Sequence, residues 1–334
     1  MQQVITLARP VGIFAYAAAG GKEEAAGPLG TSLDFTDGSD RFGQKTWELS
    51  ESELSHQVLA LALGRANLSH KEISFLFSGD LQNQCVASSI GHLETEIPFV
   101  GIYGACSTCT EGLLLASLTL SACENSPVAA AVTTSHNSAA ERQFRTPVEY
   151  GGQRPPTAQW TATAGGAFLL KKDAAGANIV RVMVGVMKDG GISDPCNMGA
   201  AMAPAAAASI SSYLSLTNTK PDDYDAIVTG DLGDEGSELL KILLKKQNID
   251  LSKNHMDCGT LLYNLKEKDV HAGASGCGCS AAVLAAKFLP ALEAGEYRKI
   301  LFLSTGALMS PSSVLQGKTI LGVAPVIELH APKR

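Results

Sequence analysis

The sequence predicts an α/β fold made of two similar halves. Short apolar runs with strand character alternate along the chain with helical stretches rich in alanine and leucine, which is the pattern of α/β domains. The same order of strand, glycine-rich turn, buried helix and strand also occurs twice. With 334 residues, of which 45% are hydrophobic and 18% charged, the chain is long enough to bury a substantial core.

The first half opens with a strand that mimics a signal peptide. In ARPVGIFAYAAAGG, residues 8–21, only Arg9 precedes the apolar run, and Gly12 interrupts it. We therefore expect a buried strand followed by a glycine turn, and no secretory signal. The run ISFLFSGDL, residues 73–81, predicts a further strand, which ends in Ser-Gly-Asp-Leu.

A turn with two cysteines follows. GIYGACSTCTEGL, residues 101–113, joins an apolar strand to a predicted helix and contains Cys106 and Cys109. A thiol at a helix N-terminus faces backbone N–H groups and the helix dipole, which lower its pKa. Cys106 is therefore a candidate nucleophile if a histidine lies near it. A redox pair and simple packing of a crowded helix start are the alternatives, and we assign Cys109 to packing.

The strand SPVAAAVTTS ends next to His136, and we expect this ring at the same edge of the sheet as Cys106. The irregular stretch that follows, residues 136–160, carries Arg142 and Arg145. Long irregular segments inside compact domains are usually functional, and the planar guanidinium group of arginine suits carboxylates. We predict an anion-binding segment here. The alternative is a solvated loop held by its own ion pairs.

The second half repeats the first. YDAIVTGDL, residues 224–232, predicts a strand that ends in Thr-Gly-Asp-Leu, and GCSAAVLAAKFLPALEAG, residues 278–295, predicts the buried helix. RKILFLSTG supplies the next strand, while TATAGGAFLLKKD and ILGVAPVIEL close the two halves. The junction AAGAN, residues 174–178, divides the chain into an N-terminal half of residues 1–174 and a C-terminal half of residues 175–334.

A histidine in the second half mirrors Cys106. His271 opens the glycine-rich turn HAGASGCGCS before the second buried helix, so by symmetry we expect it to approach a pocket between the halves. Helix capping is the alternative. Cys277 and Cys279 in the same turn are interpreted as small buried thiols, because no second thiol or histidine pair lies at zinc spacing.

Composition excludes several classes of protein. The formal net charge is -7 and the basic residues are scattered, which argues against a nucleic-acid partner. Eight cysteines in a chain of this length fit a reducing compartment rather than a disulfide scaffold. The uncharged stretch 198–216 is rich in Ala and Ser and contains Pro204, so we expect a buried helix and no transmembrane segment.

Taken together, these motifs resemble the thiolase superfamily. GACSTCTEGL is similar to the nucleophile turn of condensing enzymes, and HAGASGCG is similar to the histidine-containing glycine-rich turn of thiolases. The resemblance implies a thiolase-like fold, with five α-β-α-β-α layers made of two pseudo-equivalent halves. It also implies that a cysteine from the first half and a histidine from the second reach a shared site.

Four longer motifs resemble the SpoVAD family of sporulation proteins across essentially the whole chain: YGACST, TTSHN, QFRTPVEYGGQRPPTAQWT and DPCNMGAAMAPAA. This resemblance implies binding of dipicolinic acid (pyridine-2,6-dicarboxylic acid) and its uptake into the forespore. It further implies membership of the SpoVA channel complex, which also acts in germination, and peripheral attachment to the cytoplasmic face of the spore inner membrane through other SpoVA membrane proteins. A homodimer is the default state. No cofactor is implied, and whether calcium accompanies dipicolinate is left open.

The resemblance and the residues together define a predicted ligand pocket with no catalytic residue and no metal ligand. Its residues are Cys106, His136, Arg142, Arg145, Glu149, Tyr150 and His271. The helix start and the arginines supply charge and donors for a dianion, and small residues in the turns supply apolar walls for a flat ring.

The chain departs from a working condensing enzyme. Its C-terminal part lacks the Cys-x-Gly-Gly-Gly turn of thiolases, and Gly273 follows His271 one residue too early for their Gly-His-Pro-x-Gly pattern. No histidine with an acceptor asparagine is evident for decarboxylative condensation. We therefore predict a non-enzymatic receptor. The alternative is a Cys-dependent acyltransferase, similar to ketoacyl synthase III, that forms a thioester on Cys106.

Overall fold

The computed structural model describes residues 2–144, 154–266 and 270–332. In these ranges the strands are β1 (Val4–Gly20), β2 (Phe35–Thr36), β3 (Ile73–Gly79), β4 (Phe99–Ile102), β5 (Val128–Ser135), β6 (Trp160–Thr161), β7 (Ala164–Lys172), β8 (Ala177–Met183), β9 (Lys188–Asp189), β10 (Ala226–Thr229), β11 (His255–Asp257), β12 (Ala274–Ser275), β13 (Lys299–Leu303), β14 (Gly306–Leu308), β15 (Leu321–Val323) and β16 (Val326–His330).

The α-helices of the described residues lie between these strands. They are α1 (Lys22–Ala25), α2 (Trp47–Ala66), α3 (Val86–His92), α4 (Thr108–Ala122), α5 (Asn137–Phe144), α6 (Met198–Thr217), α7 (Gly233–Lys245), α8 (Cys258–Leu262), α9 (Cys277–Val283), α10 (Leu289–Ala294) and α11 (Pro311–Leu315). A π-helical turn, Leu284–Phe288, joins α9 to α10.

One mixed sheet runs through the molecule in the order β11-β10-β13-β16-β8-β1-β7-β5-β3-β4, with β2 added beside β1. Between β8 and β1, which pair antiparallel, it divides into two units of five strands. When the five strands of each unit are numbered by their position along the chain, their order across the sheet is 3-2-4-5-1, read from the outer edge toward the β1–β8 pair. In each unit the fifth strand, β7 or β16, runs antiparallel to its neighbours. The repeat predicted from the sequence is therefore a repeat of topology.

Side-chain alternation along the strands separates the layers. On β5, Ala129 and Ala131 pack in the central core, whereas Ala130 and Val132 pack in the outer one, because successive strand residues point to opposite faces. The central core holds α4 and α9 between strands of both units. α2 covers the outer face of the first unit, and α6 with α7 covers that of the second. These are five α-β-α-β-α layers, and the predicted fold class is confirmed.

The apolar stretch 198–216 forms α6, as predicted, and most of its side chains are buried. The Asn197 side chain accepts a hydrogen bond from the backbone N–H of Ala200 at 3.3 Å and so caps its first turn. Asn218 ends the helix at φ 52°, a left-handed conformation that asparagine tolerates better than most residues.

A second apolar helix lies in the central layer. Among the described residues, Cys277–Ala294 is the one helical stretch long and apolar enough to cross a membrane by length and composition, and 72% of it is buried inside the structure. It consists of α9, the π-helical turn and α10.

The strand β4 forms one edge of the sheet and exposes apolar side chains. Phe99 is 41% exposed and Val100 is 45% exposed. In the segment that precedes this strand, Ile90 of α3 and Leu93 are 47% and 75% exposed. An edge strand also presents unpaired N–H and C=O groups. This edge therefore has two features: backbone groups that can pair with another strand, and exposed apolar side chains.

Candidate functional site

A cavity of about 300 Å³ lies beside Cys106, and both halves of the chain line it. Leu81, Cys106 and Phe144 come from the first half, and Met198, Ser275 and Met309 come from the second. Most of the wall is apolar. Glu141 is the one charged side chain among the described lining residues.

The turn before α4 carries Cys106 into this cavity. Ala105 has a left-handed backbone with φ 52°, which turns the chain sharply after β4, and Cys106 follows in a short 3₁₀ turn. Gly306 of β14 crosses this turn closely, because a Cβ atom there would lie 2.7 Å from the Gly104 carbonyl oxygen. The thiol ends up only 5% exposed.

The short strands β6 and β12 join the halves at the cavity wall. They pair in parallel, with Thr161 opposite Ser275. Both residues line the cavity, and the Ser275 Oγ atom lies 4.0 Å from Cys106 Sγ.

Asp231, which follows β10, lies directly behind Ser275 and is fully buried. Its Oδ2 atom accepts hydrogen bonds from the Ser275 hydroxyl at 3.2 Å and from the Gly276 N–H at 2.9 Å. Its Oδ1 atom accepts one from the Thr305 hydroxyl at 2.9 Å. Sequence reasoning did not select Asp231. The available signal was an acidic residue ending an otherwise apolar strand, at the position where Asp80 ends β3 of the first half.

Burial controls the ionisation of Asp231 and Cys106. It raises the pKa of Asp231 to about 6, because a carboxylate loses its hydration there. Burial, reinforced by the nearby Asp231 carboxylate, raises the pKa of the Cys106 thiol well above its ordinary value. These two effects outweigh the stabilisation that the start of α4 offers a thiolate. These effects favour the neutral thiol of Cys106 at pH 7, a form that is a weak hydrogen-bond donor and a poorer nucleophile than the thiolate.

His136 is buried but does not line the cavity. Its Nε2 atom lies 2.8 Å from the Asp40 carbonyl oxygen, and its ring centre lies 5.3 Å from that of Trp47, at the start of α2. The reason is the parity of β5: Ser135 bonds to the backbone of the central layer, so the next side chain points to the outer layer. His136 follows β5 at the same edge of the sheet where the parallel strand β4 ends before Cys106, but its ring turns away from the cavity. Burial lowers the pKa of His136, which favours the neutral ring.

The structure separates the other predicted residues. Arg142 forms an ion pair with Glu48 of α2 and does not line the cavity. His271 lies in the turn before β12 with φ 48°, and it too is absent from the wall. The second half therefore brings Ser275 and Asp231 to Cys106, where the resemblance to thiolases implied a histidine.

The remaining predicted residues fall into two groups. Arg145, Glu149 and Tyr150 lie outside the described residues. Cys109 packs in the central core, as assigned, and burial raises its pKa to about 12. Within the described ranges, no three His, Cys, Asp or Glu side chains are grouped to hold a metal ion.

Solved structures of other proteins share this fold. OleA of Xanthomonas campestris superposes with a TM-score of 0.59 at 16% identity, over 97% of this chain and 99% of that chain. 3-Oxoacyl-[acyl-carrier-protein] synthase III of Aquifex aeolicus VF5 superposes with a TM-score of 0.56 at 13% identity, over 95% of this chain and 99% of that chain. At these identities the likeness establishes the thiolase-like fold alone.

Sequence comparison is more specific. The chain is 39% identical over 323 residues to stage V sporulation protein AD of Bacillus subtilis (strain 168), which covers 97% of this chain and 95% of that protein. The family model for stage V sporulation protein AD matches residues 1–330. The chain therefore belongs to the stage V sporulation protein AD (SpoVAD) family.

Proposed function

We propose that this chain is a receptor for dipicolinate that serves uptake of the acid into the forespore, and that it is not an enzyme. Membership of a sporulation family supports the biological setting. The observation that carries the molecular part is the chemistry of the cavity: a neutral thiol, a serine hydroxyl and largely apolar walls. Such a pocket suits reversible binding of a small flat acid better than it suits nucleophilic catalysis.

In the proposed complex, the pyridine ring lies between the apolar side chains of Leu81, Phe144 and Met309. One carboxylate points to Cys106 and Ser275, near the N-terminus of the 15-residue helix α4, whose N–H groups and dipole favour an anion. The second carboxylate needs a cation, and the described wall has none. Arg145, which follows Phe144 in the chain, is our candidate for that partner.

We expect dipicolinate to bind the full chain, and Arg145→Ala to weaken binding. Loss of a hydrogen bond between charged groups costs about 1.5 to 3 kcal/mol, or roughly tenfold to a hundredfold in affinity. Isothermal titration calorimetry, with and without calcium, measures this. Arg142→Ala is the matched control, because Arg142 pairs with Glu48 outside the cavity and its loss should leave affinity nearly unchanged. Absence of binding to the unmodified chain would refute the proposed receptor.

A Cys-dependent acyltransferase is the second candidate, and the fold of the synthase III neighbour favours it. Against it stand the raised pKa of Cys106 and the carboxylate of Asp231 beside the thiol. A carboxylate there disfavours the thiolate that would attack an acyl donor.

We therefore expect no acyl adduct on Cys106 after incubation with acetyl-CoA or malonyl-CoA, as read by mass spectrometry of the intact and digested protein. Iodoacetamide at pH 7 should alkylate the half-buried Cys123 and Cys196 well before Cys106, because a buried neutral thiol is a poor nucleophile. A stable acyl group on Cys106 would favour the acyltransferase.

We also propose that the chain reaches the cytoplasmic face of the spore inner membrane through other SpoVA membrane proteins, as a peripheral subunit. The apolar helical stretch Cys277–Ala294 supports an indirect route, because it is largely enclosed in the central layer. We expect the chain in the membrane fraction of sporulating cells that contain these partners, and in the soluble fraction of cells that lack them. Retention in the membrane fraction without partners would indicate direct lipid binding instead.

For its own assembly, we propose a homodimer formed through the β4 edge. Two copies of one strand can pair antiparallel about a twofold axis, which satisfies the free backbone groups and covers Phe99 and Val100.

Light scattering should then give twice the mass of the chain, and Val100→Lys should shift the protein to the monomer, because it places an unpaired charge in the apolar contact. Leu315→Lys is the control. Leu315 is 89% exposed but lies in α11 and not in the pairing strand β4, so its replacement should leave the dimer intact. A monomeric parent protein would contradict the proposed interface.

A further inference from the structure

One hydrogen-bond donor in the cavity wall, the Ser275 hydroxyl, already donates its proton to another protein group. Ser275 lines the cavity, and its hydroxyl donates to Asp231 Oδ2 at 3.2 Å. A serine hydroxyl has one proton and two lone pairs. While Asp231 is ionised, Ser275 therefore turns lone pairs toward the cavity, and lone pairs repel a carboxylate ligand.

Asp231 has three donors and is 0% exposed. Among the described residues, the titratable groups that interact with it are neutral thiols and one further acid: Cys106, Cys258, Cys277, Cys279 and Asp257. Asp257, at the end of β11, accepts hydrogen bonds from Thr229, Leu232 and Gly233, and burial raises its pKa to about 7. Each of these neighbours is neutral or negative, so each leaves an added negative charge uncompensated.

We infer that Asp231 takes up one proton when an anionic carboxylate enters the cavity, and that Ser275 then redirects its hydroxyl proton from Asp231 to the ligand. This rests on the proposed dicarboxylate receptor, in which Ser275 already contacts a carboxylate, and adds Asp231 as the residue that controls this contact.

The atoms balance without any covalent change to the ligand. A proton from the solvent binds an Asp231 carboxylate oxygen, and the resulting O–H donates to Ser275 Oγ, which in turn donates its own proton to the ligand carboxylate. Release of the ligand reverses both steps and returns the proton to solvent. In this relay, the Ser275 hydroxyl therefore donates a hydrogen bond to an anion that occupies the cavity. When the cavity holds no anion, the hydroxyl turns its lone pairs toward the cavity instead.

The direction of the pH effect follows from linkage. Burial already places the pKa of Asp231 at about 6, and a ligand carboxylate nearby raises it further. Between the free and the bound pKa values the complex holds more protons than the free protein, so affinity rises as pH falls through that window. The limit is about tenfold per pH unit for one proton. Ordinary carboxylic acids titrate near pH 4, so dipicolinate itself stays ionised above pH 6.

The test is calorimetric titration of the full chain with dipicolinate between pH 6 and pH 8, repeated at pH 7 in two buffers of different ionisation enthalpy. We expect net proton uptake, approaching about one proton per ligand, and affinity that increases toward pH 6. Asp231→Asn should abolish the uptake and flatten the pH profile.

Two serine variants separate the relay from simple contact. Ser275→Ala should lose affinity chiefly at pH 6, where the relay operates in the parent protein. Ser310→Ala is the matched control: Ser310 also lines the cavity, but its hydroxyl contacts Ser312 at 2.8 Å and not a buried acid, so any loss should be equal at both pH values. If Asp231→Asn does not fold, the pH dependence of Ser275→Ala still tests the relay.

Each outcome has a distinct meaning. Binding without proton exchange, or uptake that persists in Asp231→Asn, overturns the relay and leaves the receptor standing. An equal loss of affinity at pH 6 and pH 8 in Ser275→Ala also overturns it. No binding of dipicolinate at any pH overturns the receptor and the relay together. Uptake that disappears in Asp231→Asn, with a loss confined to low pH in Ser275→Ala, supports both.

Discussion

The buried carboxylate of Asp231 is the constraint on which the cavity depends. Its three hydrogen bonds tie the end of β10 to the turn between β12 and α9 and to the segment that follows β13. These segments meet the Cys106 turn of the other half. Burial, reinforced by this carboxylate, raises the pKa of the Cys106 thiol and favours its protonated form. One buried acid therefore sets both the shape of the cavity wall and the chemical character of its sulfur.

Because other proteins share this fold, the groups that surround the Cys106 sulfur decide its chemistry. The thiolase-like fold of this chain places Cys106 at a helix start between two α/β halves, and the fold alone does not decide what that cysteine does. Reactivity depends on the few groups that surround the sulfur. Here the second half supplies an acid and a hydroxyl, Asp231 and Ser275.

Much of the fold was readable from the sequence, because repeated runs of apolar residues specify strands and helices whose order the topology preserves. The placement of Cys106 on the wall followed from the strand-turn-helix pattern. His136 did not, because its direction depends on the parity of β5, and a shift of one residue moves a side chain to the other face. The role of Asp231 could not be predicted from the repeat. Asp80 occupies the equivalent position in the first half, but it interacts with α2 and α3 and not with the cavity wall.

The antiparallel pairing of β1 with β8 has a mechanical consequence. The sheet continues from one five-stranded unit to the other through β1 and β8, with a register shift between Thr6 and Val11, and the two units lie on either side of the central helices. A rigid rotation of one unit against the other would therefore strain the hydrogen bonds between β1 and β8. For the ligand of the proposed receptor, small rearrangements at the cavity rim, around Phe144 and Pro311, are the less costly route of entry and exit.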